Sequence, residues 1–144
     1  MSSTTRHIDA TPEHVWEVLA DGWLYPLWVV GASRMREVDD HWPEVGSRLH
    51  HSVGSWPALL DDDTEVLEVR PGRSLTLRAR GWPAGEAHVE IHLEPAGRGT
   101  TVRVVEDVVA GPGRFVPQPL RALPITWRNV EGLRRLAYVC ERRP

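Results

Sequence analysis

The sequence predicts an α+β fold in which a curved, six- to seven-stranded antiparallel sheet wraps around a long C-terminal helix, with two short helices after the first strand. Three observations predict it. Apolar and polar residues alternate with a period of two between residues 33 and 110, short Gly, Pro and Asp clusters interrupt that alternation, and residues 125–141 carry an apolar helical stripe. All 144 residues fit one domain. A sheet that curves around a helix leaves a cavity between the two layers.

The N-terminal elements begin with a strand over residues 5–10. A helix follows it, with Thr11 as the N-cap, Pro12 at the first helical position and an acidic residue in the first turn. Its buried face comprises Val15, Val18 and Leu19, and it ends near residues 21–22. The apolar segment 23–30 contains Pro26, so it predicts only a second short helix.

The middle of the chain predicts an antiparallel meander, because its connections are short. The expected strands cover residues 33–39, 47–53, 64–70, 74–80, 87–94 and 100–109. Residues 111–124 are rich in Pro and Gly and predict a structured loop.

The final helix, over residues 125–141, is about 25 Å long. Its apolar stripe comprises Val130, Leu133, Leu136, Ala137 and Cys140, and its opposite face comprises Arg128, Glu131, Arg135 and Arg142.

Charge and composition exclude several classes of protein. The chain has 17 basic residues, all of them Arg, and 20 acidic residues, which gives a net charge of −3. Nucleic acid is therefore not an expected partner. The absence of Lys excludes Schiff-base enzymes and P-loop nucleotide binding. One Cys excludes an internal disulfide. Residues 1–7 lack a signal-peptide core and no apolar run is long enough for a membrane span, so we expect a cytoplasmic protein.

Several segments resemble one family along essentially the whole chain. Residues 8–21 (IDATPEHVWEVLAD) resemble the opening strand and helix of the START/pollen-allergen-like (SRPBCC) superfamily. Further matches are residues 25–29, 43–47, 99–102 and the C-terminal helix. The sequence is most similar to the bacterial branch labelled polyketide cyclase/dehydrase-like. The resemblance implies a helix-grip fold whose cavity binds lipids, sterols, quinones or polyketides, and it does not fix the chemistry.

Two residues are candidates for acid/base chemistry. Glu106 alternates with Val102 and Val104 in the last strand, so it is expected to point into the apolar interior unless the strand bulges and leaves it solvated at the rim. His51 shares a face with Leu49 and could pair with Glu106. The alternative for His51 is a core residue satisfied by one hydrogen bond.

The candidate ligand-binding residues surround the expected cavity. Trp supplies seven of the ten aromatic residues, and large aromatic side chains with a polar N–H are common at pockets. Trp28, Trp56 and Trp82 are expected at the cavity mouth, with Phe115 and Leu120 as a lid. Within the cavity, Asn129 and Leu133 lie on the stripe of the last helix, where an amide must bond to protein or ligand. Ordinary packing is the alternative for each.

Other clusters do not predict a metal site. Residues 88–92 (HVEIH) lie in a strand and lack the helical spacing of a His pair, so His88, Glu90 and His92 are expected on the outer face. The acidic run 61–63 predicts a solvated turn rather than a calcium loop. We therefore expect no metal and no cofactor.

Arginines within the sheet are also expected outside. Alternation places Arg78, Arg80 and Arg103 on the outer face, away from the expected cavity. Cyclases of the resembled fold use polar groups such as Arg inside the cavity, so this placement favours an apolar ligand.

Three functions remain open from the sequence. The first is binding of a small hydrophobic molecule, lipid-, quinone- or polyketide-like, between the sheet and the last helix. The alternative is a cyclase or dehydrase that uses Glu106 and His51 as acid/base groups. A third, a regulatory partner protein, would need an exposed apolar patch that the pattern does not show. The pattern also leaves open whether the chain forms a homodimer.

Overall fold

A computed structural model describes residues 2–29, 32–53, 60–81, 85–110 and 118–142. The described residues form seven strands, three α-helices and a 3₁₀ turn at Gly22–Leu24. The helices are α1 (Pro12–Ala20), α2 (Tyr25–Trp28) and α3 (Gln118–Arg142). The strands are β1 (Ser2–Ile8), β2 (Ala32–Val38), β3 (Arg48–Val53), β4 (Leu60–Arg70), β5 (Ser74–Gly81), β6 (Gly85–Ala96) and β7 (Gly99–Ala110).

The strands form a single curved sheet in the order β1-β7-β6-β5-β4-β3-β2, and every neighbouring pair is antiparallel. The predicted fold class is confirmed. A register shift between Val66 and Glu68 interrupts the alternation of β4, so that Leu67 and Glu68 are both exposed. A bulge of this kind bends its strand and increases the local twist.

Helix α1 begins and ends as its sequence predicts. Thr11 is extended, and its hydroxyl oxygen accepts a hydrogen bond of 3.2 Å from the backbone N–H of His14. The helix ends at Asp21, whose carboxylate caps the 3₁₀ turn by accepting from the N–H of Trp23. The predicted apolar face, Val15, Val18 and Leu19, is buried.

The C-terminal half of α3 is held against the N-terminal elements. The backbone N–H of Asp9 donates to the Glu141 carboxylate over 2.9 Å, and the His14 imidazole lies 2.9 Å from the carbonyl oxygen of Cys140. Leu133, Leu136, Ala137 and Cys140 are buried in the main core, as predicted. None of the helices in the described ranges is both long enough and apolar enough to cross a membrane.

The predicted bounds and faces of α3 need three corrections. The helix begins at Gln118 rather than at residue 125: a proline at position 119 lies in the first turn, where no N–H is needed, and the helix continues through a second proline at position 124. Val130 is 50% exposed, whereas Ala137, seven residues later on the same face of the helix, is buried. This face of α3 is therefore covered at Ala137 and not at Val130. Arg128 was expected on the outer face but reaches the interior, as described below.

Two other expectations also change. The acidic run 61–63 lies inside β4 rather than in a turn, and Asp63 bonds to Arg48 of β3 over 3.3 Å. Large apolar side chains are also at least half exposed on the 3₁₀ turn, α2 and α3, which the sequence pattern did not indicate. They are Trp23, Leu27, Trp127, Val130 and Tyr138.

Candidate functional site

The concave face of the sheet is fully buried at one end and partly accessible at the other. Leu75, Ile91 and Val102 are at most 1% exposed. Further along the same face, Ala79 and Ala87 are paired across β5 and β6, and both are only half-buried. We call this part of the concave face, where small side chains keep partial access to solvent, the open end of the sheet.

A buried carboxylate lies at the open end and meets an arginine from α3. Glu106 of β7 is 4% exposed, and the Arg128 guanidinium donates a hydrogen bond to its Oε2. Glu106 stands opposite Val89 in the β6–β7 register, which confirms that it lies on the concave face. The arginine compensates the charge of a carboxylate that would otherwise be costly to bury.

A buried hydroxyl pair links α2 to β4 in the same region. The hydroxyls of Tyr25 and Thr64 share a hydrogen bond of 3.3 Å, and both residues are buried. Burial raises the pKa of Tyr25 above its ordinary value, and the charge of Glu106 adds to that rise; the Thr64 hydrogen bond and the charge of Arg128 oppose it. Thr64 pairs with Ala79, and Ala79 pairs with Ala87, so the hydroxyl pair lies on the same face of the sheet as Glu106. We call Tyr25, Thr64, Glu106 and Arg128 the interior polar cluster.

Two further polar side chains lie where α2 meets α3. The Trp28 ring packs edge-on against Tyr25, with ring centroids 5.3 Å apart. A Cβ at Gly132 of α3 would lie 3.0 Å from the Trp28 carbonyl oxygen, so the two helices are in close contact. Asn129 lies one turn before Gly132. Within the described part of the chain, the buried Trp28 Nε1 and Asn129 Nδ2 atoms have no hydrogen-bond partner.

The other predicted site residues are described less completely. Leu133 is 3% exposed and belongs to the main core. The backbone of His51 lies in β3, paired with residues 35 and 62, and that of Leu120 lies in α3; their side chains are outside the described residues. Trp56, Trp82 and Phe115 fall wholly outside the described residues.

Sequence reasoning missed three members of the interior polar cluster. The helical angle of Arg128 alone predicts that it lies on the outer face. Thr64 alternates with buried Val66, and that spacing could have marked it as an inward hydroxyl. Tyr25 starts a helix of four residues, which is too short for a periodicity argument.

On the outer face, the described side chains that the sequence singles out are exposed or paired with another residue. His88 is exposed, and Glu90 lies 3.3 Å from His92. Arg78 pairs with Glu65 of β4, Arg103 is exposed, and the Arg80 side chain is outside the described residues. No group of three His, Cys, Asp or Glu side chains within the described ranges is arranged to hold a metal ion.

An open concavity of about 520 Å³ lies between α1 and the β2–β3 connection. Carboxylates and two indole rings line it. The pKa of its Asp39 carboxyl is lowered chiefly by a hydrogen bond from His50, 3.0 Å away, and further by the backbone N–H of Arg48. Its lining residues are Glu17, Ala20, Asp21, Gly22, Trp23, Val38, Asp39, Asp40 and Trp42.

A curved antiparallel sheet around a C-terminal helix, with polar groups gathered at the open end of the interior, defines the helix-grip class of ligand-binding folds. The chain belongs to the family described as polyketide cyclase / dehydrase and lipid transport, whose sequence profile matches residues 2–141. No curated protein matches the sequence significantly.

Solved structures share this architecture at low sequence identity. The allergen Ara h 8.0201 superposes with a TM-score of 0.75 at 11% identity, covering 98% of this chain and 97% of the other. A protein from Rhodobacter sphaeroides gives 0.74 at 23% identity, covering 96% and 91%. DynU16, from the dynemicin biosynthetic locus, gives 0.66 at 21% identity, covering 98% of this chain and 47% of its own. Likeness at these identities establishes the fold alone.

Proposed function

We propose that this protein binds a small, mostly apolar molecule, lipid-, quinone- or polyketide-like, between the sheet and α3. The observation that carries the proposal is the open end of the concave face, where half-buried Ala79 and Ala87 adjoin the interior polar cluster. Ligand sites are concave and largely apolar, with a few polar groups that fix orientation. The family's description, which includes lipid transport, agrees with this use of the fold.

Ligand binding explains the interior polar cluster better than a contribution to folding stability does. A buried ion pair contributes little to folding, because the loss of hydration offsets the attraction between its charges. Apolar residues of similar volume at Glu106 and Arg128 would fill the same space at no greater cost. The presence of this pair beside an accessible apolar surface is therefore better explained by something that binds there.

The enzymatic alternative, with Glu106 and His51 as an acid/base pair, has less support. The Glu106 carboxylate already accepts from Arg128, and β4, β5 and β6 lie between the strands of the two residues. Four inter-strand steps span roughly 19 Å along the sheet, so a direct hydrogen bond would require the sheet's curvature to bring them together. Both residues remain candidate ligand contacts.

The proposal is tested with an uncharged fluorescent probe, N-phenyl-1-naphthylamine, together with native mass spectrometry of the purified protein. Probe fluorescence should rise on binding, and co-purified hydrophobic molecules should appear as added mass. Ala87→Leu fills the open end without removing any packing, so it should weaken probe binding several-fold and leave the urea midpoint nearly unchanged. Ala96→Leu, at the far end of β6, is the matched control. Equal binding by both variants, or no binding by the native protein, would overturn the proposal.

A further inference from the structure

We infer that the ligand presents an uncharged hydrogen-bond acceptor, of the ketone or quinone carbonyl type, to the Trp28 indole and the Asn129 amide. This inference rests on the proposed function and specifies the chemistry of the bound molecule. It starts from two buried nitrogen atoms, Trp28 Nε1 and Asn129 Nδ2, for which the described residues supply no acceptor.

Both unsatisfied atoms are donors. An indole N–H can only donate, and the nitrogen of a carboxamide carries two donor hydrogens. Buried polar groups in folded proteins nearly always have a partner, because an unmet donor loses its hydration without compensation. A ligand that supplies an acceptor oxygen would remove this deficit, whereas a ligand whose polar end only donates would leave it.

The two donors come from the same junction of the fold. Trp28 ends α2, and the approach of Gly132 to the Trp28 carbonyl oxygen holds α2 against α3, one turn from Asn129. Trp28 also contacts Tyr25, so this junction borders the interior polar cluster. A carbonyl oxygen has two lone pairs and can accept from two donors at once.

The charges nearby favour a neutral ligand. The cation that reaches this region from the described side chains is Arg128, and it already donates to the buried Glu106. A ligand carboxylate would face Glu106, and no further cation among the described side chains would offset the repulsion. An ammonium group would be attracted to Glu106, but it brings donors to a place that already has two unmatched ones. A carbonyl satisfies the donors and adds no charge.

The test uses four probes that share a naphthalene ring system: 2-acetylnaphthalene, 2-ethylnaphthalene, 2-naphthoate and 2-naphthylmethylammonium. Each displaces N-phenyl-1-naphthylamine from the 144-residue chain at pH 7. The ketone should bind about five- to tenfold more tightly than the hydrocarbon, the size of one net neutral hydrogen bond. Both ions should bind more weakly than the ketone.

Variants locate the acceptor. Asn129→Leu and Trp28→Phe should each reduce the ratio of ketone affinity to hydrocarbon affinity, because each variant removes one donor; this ratio is the readout even where a variant also changes the affinity for 2-ethylnaphthalene. Trp127→Phe, an exposed neighbour on α3, is the matched control and should keep the full preference. In the native protein, the side-chain N–H resonance of Trp28 should shift downfield with the ketone and not with the hydrocarbon, a readout that does not depend on any variant folding.

The outcomes separate this inference from the proposed function. If the ketone and the hydrocarbon bind equally, or if the carboxylate binds most tightly, the inference is wrong while ligand binding stands. If none of the probes binds, the proposed function fails and the inference fails with it. A ketone preference that survives in both Asn129→Leu and Trp28→Phe would also overturn the inference.

Discussion

The two members of the ion pair between Glu106 and Arg128 differ in burial, and this difference predicts that removing one destabilises the protein more than removing the other. The Glu106 side chain is 5% exposed, whereas that of Arg128 is 41% exposed. Removing the arginine leaves a carboxylate in the interior without its cation. Removing the carboxylate leaves an arginine on a flexible stem that can turn towards water. Arg128→Met should therefore destabilise the protein more than Glu106→Gln.

The expected magnitudes follow from this difference in burial. Breaking a fully buried pair by removing one partner costs about 3–5 kcal/mol. Because Arg128 is partly solvated, its charge is screened, and we expect a loss of about 2–3 kcal/mol for Arg128→Met. Glu106→Gln keeps the volume of the side chain and should cost about 1 kcal/mol or less. The double variant should cost less than the sum of the single variants, because the stranded charge is gone.

The assay is urea unfolding at pH 7, followed by tryptophan fluorescence and far-ultraviolet circular dichroism. Arg134→Met is the control, because Arg134 pairs with Glu131 on the exposed side of α3 and its removal should not change the unfolding free energy measurably. Equal losses for the two single variants, or a larger loss for Glu106→Gln, would refute the reasoning. A coupling energy below about 0.5 kcal/mol between the two substitutions would also refute it, because independent sites add to within that amount.

Three further predictions concern other buried or paired groups. Tyr25→Phe and Thr64→Val each remove the same hydrogen bond, so each should cost about 1 kcal/mol in urea unfolding and the double variant less than the sum; full additivity would contradict the shared bond. Burial raises the pKa of the Cys140 thiol to about 12, so Ellman's reagent at pH 8 should react with it in urea but not in the native protein. The pKa of Asp39 is lowered below 3.8, chiefly by its hydrogen bond from His50. Its stabilising effect is therefore present above that value and lost as pH falls through the folded pKa, so the stability gap between native protein and Asp39→Asn should shrink between pH 6 and pH 3; a constant gap would contradict it.

The strands could be predicted from the sequence because their signals are local. Each strand alternates apolar and polar residues, and each turn contains residues that favour a reversal. Gly72 and Gly97, for example, lie in turns at positive φ, where other residues are strained. The predicted start of β5 is correct, because such a turn precedes the strand, and the predicted end is one residue short. At the start of β4 the prediction begins four residues late, because the acidic run 61–63 has the composition of a turn but lies inside the strand.

The interior polar cluster could be predicted only in part, because its members meet through tertiary contacts. Alternation was enough to place Glu106 inside. The helical angle of Arg128 puts its Cα on the flank of α3, and only the position of β7 shows that its long side chain reaches inward. The pairing of Tyr25 with Thr64 joins residues 39 positions apart in the chain. No local pattern encodes such a contact.

Gly132 connects the packing of α3 to the polar end of the interior. A glycine in the middle of a helix costs about 1 kcal/mol relative to alanine. Here the smaller residue allows α2 to approach α3, since a Cβ at this position would lie 3.0 Å from the Trp28 carbonyl oxygen. Tyr25 and Trp28 are three residues apart on α2. The contact of Gly132 with the Trp28 backbone therefore also helps to position Tyr25. Gly132 thus lowers the stability of the helix but allows the α2–α3 contact that positions the side chains we expect to meet the ligand.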